Sequence, residues 1–377
     1  MKKIDVGTLD LTKKHYDNVM KALKSGRLSY GPMTTEFEQK FSRIHGNKYG
    51  VFTNSGTSAL QASIHALKIL NNWKDGDEVL MPATTFVATY NVITQNNLRP
   101  VLVDVANDLN INVGLIEQNI TARTVAILPV HLLGKPANMT KIMKIAKKHN
   151  LKVVEDSCET MFVNGIGKAD VTCTSFYIAH LLTTGVGGMA ITNDEKLAKL
   201  IRSLIFHGRD DAYLNIDNDD NLEGKELEKI IDSRFRFNYP GYSYRGTELE
   251  AALGLAELDN YGEMIQKRQA NAHYFYSKFF SSKDILPTEY LVDHAFMMLP
   301  IFVEDRDKLM LWLESNDITT RKIMPLINQP YIKIDPSKFP FSSYILNYGL
   351  LVGCHQGLTK KDMQFIVDKI KEFYESK

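Results

Sequence analysis

Cysteine is scarce: Cys158, Cys173 and Cys354 are the only ones among 377 residues, odd in number and scattered. A disulfide framework is therefore disfavoured, and without a C-x-x-C pair there is no zinc site of the finger or ribbon kind. An iron–sulfur cluster usually takes four thiolates, more than this chain carries. An excess of charge of either sign is missing too. Lys and Arg number 45 against 44 Asp and Glu, a net charge of +1, which argues against nucleic acid or a polybasic membrane surface. No apolar run approaches the ~20 residues of a membrane span. The opening stretch, MKKIDVGTLDLTKKHYDNV, has no apolar centre of the signal-peptide kind. The expectation is a cytoplasmic protein with neither nucleic acid nor membrane among its partners.

What is present is ordinary for a soluble globular protein, 44% hydrophobic and 24% charged. The length suits a large domain and a smaller one. Apolar periodicity predicts helices on either side of the SGRLSYGP turn at 25–32, with Thr34 or Thr35 capping the second. Strands are predicted at 48–53, 74–82, 100–104, 126–130, 152–155 and 172–177, alternating with helices at 58–70, 86–95 and 139–149. That alternation gives a largely parallel sheet with both faces covered, an α/β fold. Residues 205–240 turn rich in Asp, Asn and Lys, and 210–232 in particular reads as an exposed insertion, functional or merely solvated. A long helix is predicted from 247 through 276, followed from about 290 by a smaller α+β unit.

The rest of the chain is organised around residues 151–189, LKVVEDSCETMFVNGIGKADVTCTSFYIAHLLTTGVGGM. An apolar run meets Glu155 and Asp156, a second strand-like run, 171–178, ends at His180, and a Gly-rich turn follows at 185–188. Buried strands that deliver acids at their C-terminal ends are where α/β folds place chemistry. The stretch resembles the DegT/DnrJ/EryC1/StrS family of sugar aminotransferases, which carry pyridoxal phosphate (PLP). The family pattern is a strand ending E-D, then S-F-x-x-x-K at the Schiff-base lysine, then G-x-G-G. Glu155-Asp156, Ser175-Phe176 and Gly185-Val186-Gly187-Gly188 match, and the lysine position is His180. The resemblance implies an aspartate-aminotransferase-like (type I PLP) fold, a mostly parallel seven-stranded sheet with a smaller C-terminal α+β domain. It places the N-terminal segment and large cofactor domain at 1–245, and the linking helix and small domain at 246–377. It also implies a homodimer.

The same resemblance assigns roles to other positions. Asn54-Ser55-Gly56-Thr57-Ser58 can cradle a phosphate on backbone N–H groups and hydroxyls, and is equally a good N-cap sequence. In the family this S-G-T run holds the cofactor phosphate, so Gly56 and Thr57 become phosphate binders, with Ser175 adding a hydroxyl. Phe86, in MPATTFVATYN, becomes the aromatic that stacks on the pyridine ring; otherwise it is an ordinary core Phe. Asp156 becomes the carboxylate that keeps the pyridine nitrogen protonated, so that the ring can draw electrons. Glu155 is its structural neighbour, Glu159 a contact to the ring, and His131 a structural or supporting residue. Gly241-Tyr242-Ser243-Tyr244-Arg245 resembles a run that crosses to the neighbouring subunit's site. Ser243 replaces the family's phosphate-binding Asn there, and Arg245 suits a substrate pyrophosphate, a carboxylate or an interface ion pair. Residues 318–321, with Arg321, and 324–326 resemble the wall that faces the sugar nucleotide.

Histidine cannot form a stable imine with the aldehyde, but an ordinary pKa near 6.5 makes it a base at neutral pH. Such a site should hold the amine form, pyridoxamine phosphate (PMP), without a tether. That is the chemistry of the family's 3-dehydratase branch: PMP condenses with a 4-keto sugar, a base removes a proton at C4′, and the C3 hydroxyl leaves. One kind of dehydratase uses an iron–sulfur cluster, which the cysteine count excludes. The other kind acts on GDP-4-keto-6-deoxymannose and regenerates PMP with L-glutamate. EDSCET, SFYIAH, the run at 235–242 and GLLVGCHQ are similar to it, whereas Leu181, Val186 and a short 159–170 stretch depart from it. The expected function is therefore PMP-dependent 3-dehydration of an NDP-4-keto-6-deoxyhexose, with His180 as base and neither metal nor iron–sulfur cluster. The rivals are a sugar-nucleotide aminotransferase whose lysine has been replaced, naturally or by engineering, and a catalytically silent sugar-nucleotide-binding homologue.

Overall fold

Helices α1 (Lys13–Ser25) and α2 (Pro32–Ile44) lead into alternating β1 (Tyr49–Thr53), α3 (Gly56–Leu70), β2 (Glu78–Pro82), α4 (Val87–Gln95) and β3 (Arg99–Val103). Next come α5 (Val113–Ile116), β4 (Thr124–Ile127), α6 (Met139–His149), β5 (Lys152–Asp156), β6 (Val171–Ser175), β7 (Gly188–Thr192) and α7 (Glu195–Ile205). The chain continues through α8 (Gly224–Ser233), α9 (Glu248–Glu257), α10 (Tyr261–Ser277), β8 (Met298–Phe302), α11 (Arg306–Ser315) and β9 (Thr320–Lys322). It ends with α12 (Pro340–Tyr348), β10 (Gly349–Gly353) and α13 (Lys360–Glu375). This computed structural model describes residues 3–210, 222–278, 288–324 and 326–376. Residues 211–221 of the expected insertion, and Pro325 of the expected sugar-nucleotide wall, lie outside the described residues. No described helix is long and apolar enough to cross a membrane.

The large sheet has seven strands in the order β1-β7-β6-β5-β4-β2-β3, and only β7 runs antiparallel to its neighbours. It is the mostly parallel seven-stranded sheet of the expected fold. β7 was not among the strands predicted above. Its Gly-Met-Ala-Ile-Thr is buried at every position, so it lacks the alternation that marks a half-exposed strand. The C-terminal ends of β1, β2, β4, β5 and β6 share one edge, where α/β sheets bind ligands. A smaller antiparallel sheet, β8-β10-β9, packs with α10, α11 and α13 around Leu309, Leu313, Val352, Ile366 and Val367.

Three local expectations are corrected. Gly31, not Thr34 or Thr35, is the N-cap of α2, because Pro32 occupies its first turn, where a missing N–H costs nothing. Thr34 lies inside the helix, and the free N–H groups of Met33 and Thr34 go to the buried carboxylate of Glu248, in α9. The helix predicted from 247 to 276 breaks between α9 and α10. Asp259 and Asn260 favour caps and turns over helix interiors, and Lys14 of α1 engages the Asp259 carboxylate there. Finally, β6 stops at Ser175, so His180 sits in a turn beyond the strand and not at its end. The backbone leaves the ladder because Phe176 bonds across the loop, its N–H to Gly187 and its carbonyl from the Thr184 N–H. The Phe176 ring is anchored between Phe37 and Phe41 of α2, at 5.2 and 5.1 Å. Aromatic pairs of this kind are worth roughly 0.5–1.5 kcal/mol beyond their buried area.

Candidate active site

A cleft of about 550 Å³ opens at the C-terminal edge of the large sheet, lined on its far side by Met298 and Leu351 of the small sheet and by Met297, just before β8. The volume lies within the range of small-molecule sites. Gly56, Thr57, Phe86, Asp156, Glu159, Ser175, His180 and Arg321 all line it, although they are spread over most of the chain.

At one end lies the N-terminus of α3. Ser55 caps the helix, its side chain accepting from the Ser58 N–H at 3.1 Å. The Gly56 and Thr57 N–H groups precede the first intrahelical bonds, so they carry the helix's positive end into the cleft. Gly56 is packed so closely that a Cβ there would come within 2.6 Å of the Ser175 Cβ, which keeps Ser175 beside the same N–H groups. The N-cap reading of S-G-T-S is thus the one observed, and the same turn presents N–H groups of the kind that suits a phosphate.

Asp156, 5% exposed, closes β5. Its Oδ2 accepts from the Thr89 hydroxyl at 2.8 Å and its Oδ1 from the Cys158 N–H at 3.2 Å. Glu155 points to the other face of the strand, as the period of two requires. It accepts from the N–H groups of Gly167, Lys168 and Ala169 and pairs with His131 Nε2 at 3.1 Å. Burial opposes its charge, but the bonds from His131 and the backbone outweigh burial and hold its pKa low. His131 Nδ1 accepts from the Ala137 N–H at 3.0 Å, which makes Nε2 the donor and the pair structural. Glu159 is buried, and one of its oxygens accepts from the Leu133 N–H. Burial, chiefly, pushes its pKa up to about 7; the Leu133 bond opposes that in part, and the Asp156 charge adds a smaller rise.

Phe86 stands at the wall with 60% of its surface exposed, so the core-residue reading is excluded. His180 is half-buried, with Nδ1 3.3 Å from the Ser175 carbonyl oxygen and its ring edge-on to Tyr177. Burial lowers its pKa to about 4, the Ser175 bond partly opposes that, and Arg268 adds to the lowering.

Ser243 and Arg245 do not line this chain's cleft. Arg245 donates to the Ser243 hydroxyl at 2.9 Å and stacks on Phe206 at 5.0 Å. Sequence reasoning missed Val6, Thr85, Thr89, Tyr177, Met297 and Lys322. Thr85 and Thr89 stand in the stretch already quoted around Phe86, where a hydroxyl one helical turn from the aromatic was the available signal. Val6 and Met297 had none, since apolar residues remote in sequence reach the cleft only through tertiary packing.

The donor set fits a pyridoxal-type cofactor: N–H groups and hydroxyls for a phosphate, a buried carboxylate for a ring nitrogen and an uncovered aromatic face for a ring. Fold and cleft together define an aspartate-aminotransferase-like enzyme, and the chain belongs to the DegT/DnrJ/EryC1/StrS aminotransferase family, which it matches over residues 9–371. It is 30% identical over 388 residues to the GDP-perosamine synthase of Escherichia coli O157:H7, covering 100% of both chains. It is 32% identical over 273 residues to the GDP-4-keto-6-deoxy-D-mannose 3-dehydratase of Escherichia coli O55:H7, covering 70% of this chain and 69% of that one. The solved E. coli GDP-4-keto-6-deoxy-D-mannose-3-dehydratase with bound hydrated PLP has a TM-score of 0.86 at 25% identity, covering 98% of this chain and 99% of that one.

Proposed function

We propose that the protein is a PMP-dependent 3-dehydratase of an NDP-4-keto-6-deoxyhexose, with L-glutamate restoring the amine. The observation that carries the reading is His180 in the cleft, at the place of the family's lysine. Its depressed pKa leaves the ring neutral at pH 7, the form in which an imidazole nitrogen has a lone pair for a proton. Lys322 is the one lysine among the described residues lining the cleft, and its ammonium lies 3.4 Å from the Asp307 carboxylate, which competes for it. The names of two relatives make a GDP-sugar the first substrate to try.

When bound, PMP supplies an amine that condenses with the 4-keto group and a ring that accepts the electrons released at C4′. His180 takes the C4′ proton. Asp156 keeps the ring nitrogen protonated, Gly56, Thr57 and Ser175 bind the phosphate, Phe86 covers one ring face, and Glu159 borders the ring. Arg321 faces the sugar nucleotide. Ser243 and Arg245, outside their own cleft, serve the second subunit of a homodimer, with Arg245 on the pyrophosphate. The overall reaction balances: sugar and glutamate give the 3-deoxy sugar, 2-oxoglutarate and ammonia, with one oxygen passing from C3 to the keto acid by way of water.

A second reading is a sugar-nucleotide aminotransferase working without the lysine, favoured by the full-length match to a GDP-perosamine synthase. Incubation with PLP, glutamate and GDP-4-keto-6-deoxymannose separates the two. Ammonia together with a product one oxygen lighter supports dehydration. An amino sugar without ammonia supports the second reading, and no conversion of PLP by glutamate leaves a silent binding protein.

A further inference from the structure

We infer that Gly7 and Arg268 are positioning residues for His180, holding the turn that carries it from two remote parts of the chain. The inference rests on reading His180 as the base. The turn's own bonds fasten its ends: Phe176 pairs with Thr184 and Gly187, and Tyr177 bridges to Gly185. Within its middle, His180 N–H returns to the Tyr177 carbonyl and Nδ1 to that of Ser175. These bonds shape the turn but do not set where it stands against the small sheet.

The N-terminal segment does that from one direction. Ile4 N–H donates to the Asp317 carbonyl at 2.8 Å, its own carbonyl accepts from the Thr319 N–H at 2.8 Å, and the Thr319 hydroxyl donates to Asp5 at 2.8 Å. The segment is thereby laced to the strand that carries Arg321. Val6 lines the cleft, and Gly7 then lies directly on the turn. A Cβ at Gly7 would stand 2.6 Å from Ala179 Cα and 3.1 Å from the Ile178 carbonyl oxygen. Both are backbone atoms next to His180, so no side-chain rotation relieves the overlap; the segment or the turn must move.

Arg268, fully buried on α10, reaches the turn separately. Its Nε donates to Gln356 at 3.0 Å, Nη1 to the carbonyls of Phe296 and Met297 at 3.2 and 3.1 Å, and Nη2 to the His180 carbonyl at 3.5 Å. One rigid fork thus ties the far side of the cleft at Met297 to the backbone of His180. The charge also acts on the ring, adding to burial in keeping it neutral. The other charged groups lining the cleft with His180 are Asp156, Glu159, Arg321 and Lys322. Displacing a reacting group by about 1 Å can cost on the order of 100-fold in rate.

The test compares Gly7→Ala, Arg268→Met, Arg268→Lys and His180→Asn with a control, Gly262→Ala, whose new Cβ would meet nothing within 4 Å. Turnover of GDP-4-keto-6-deoxymannose is measured together with the NMR titration of the His180 ring in cofactor-free protein. Gly7→Ala should lower kcat about tenfold or more with KM nearly unchanged, and shift the His180 ring resonance, while the control does neither. Arg268→Met should move the His180 midpoint upward from about 4, and Arg268→Lys, keeping the charge but not the fork, should hold the midpoint and lose part of kcat. A wild-type kcat and an unshifted ring in Gly7→Ala, or an unchanged midpoint in Arg268→Met, overturns the inference. If Arg268→Met does not fold, wild-type kcat in Arg268→Lys overturns it instead. Wild-type turnover by His180→Asn defeats the base reading alone, and the NMR measurements then decide the positioning roles by themselves.

Discussion

His180 Nδ1 lies 3.3 Å from the carbonyl oxygen of Ser175, the last residue of β6. A carbonyl only accepts, so this bond puts the proton on Nδ1 and leaves Nε2 as the basic nitrogen. Removing the imidazole with His180→Asn should lower kcat by roughly 10²–10⁴-fold, the usual worth of a positioned general base. Because the base must be neutral and its pKa is depressed to about 4, kcat/KM should stay level as pH falls through 6.5 and drop only near 4. A pH–rate profile turning down at 6.5 that persists in Glu159→Gln, and so does not come from the Glu159 carboxyl, would show a solvated histidine instead.

Asp156 is held by a relay of hydroxyls: Thr85 and Thr89 lie 2.8 Å apart, and Thr89 donates to Oδ2 at 2.8 Å. A hydrogen bond to a charged group is worth about 1.5–3 kcal/mol. Thr89→Val should therefore weaken PLP binding about tenfold or somewhat more, measured by absorbance titration, and Asp156→Ala should weaken it further. Equal affinity in both variants and the wild type would remove Asp156 from the cofactor site.

Much of this site can be read in the sequence because its residues sit at strand ends and helix starts, where local patterns are strongest. Asp156 follows an apolar strand, and Gly56 and Thr57 follow a capping serine, so periodicity and turn chemistry already place them. His180 is different: the apolar run through Ile178 reads as strand, and only the cross-loop bonds of Phe176 show that the sheet ends at Ser175. The Glu248 cap on α2 bridges 215 positions to Met33, a contact no local window contains. Tertiary bonds of that kind also decide where α9 stops.

Glu248 gives a prediction that concerns stability alone. Its carboxylate is 3% exposed and accepts from the Met33 N–H, the Thr34 N–H and the Thr34 hydroxyl. Truncation to Ala leaves buried donors at the start of α2 without partners, at a cost of about 1–3 kcal/mol each. Glu248→Ala should thus destabilise the fold by at least about 2 kcal/mol in urea unfolding, with kcat of the folded fraction unchanged. Glu248→Gln, which still accepts, should recover part of the loss.

Glu159 couples the cleft to pH. Burial first, and Asp156 next, raise its carboxyl from an ordinary 4.5 to about 7. The native state therefore binds more protons than the unfolded chain between those values, and stability falls as pH rises through them. The contribution is complete below 4.5 and gone above 7. His45 and His180, both lowered chiefly by burial from 6.5 to about 4, act in the opposite sense and cost stability as pH falls from 6.5 to 4. Replacing Glu159 by Gln removes only the first effect and keeps an acceptor for the Leu133 N–H. The stability gain of Glu159→Gln over the wild type should then grow between pH 4.5 and pH 8 by on the order of 3 kcal/mol in cofactor-free protein. Urea unfolding at a series of pH values measures that difference directly. A gain that does not change with pH would mean that the Glu159 carboxyl ionises in the folded protein as it does in water.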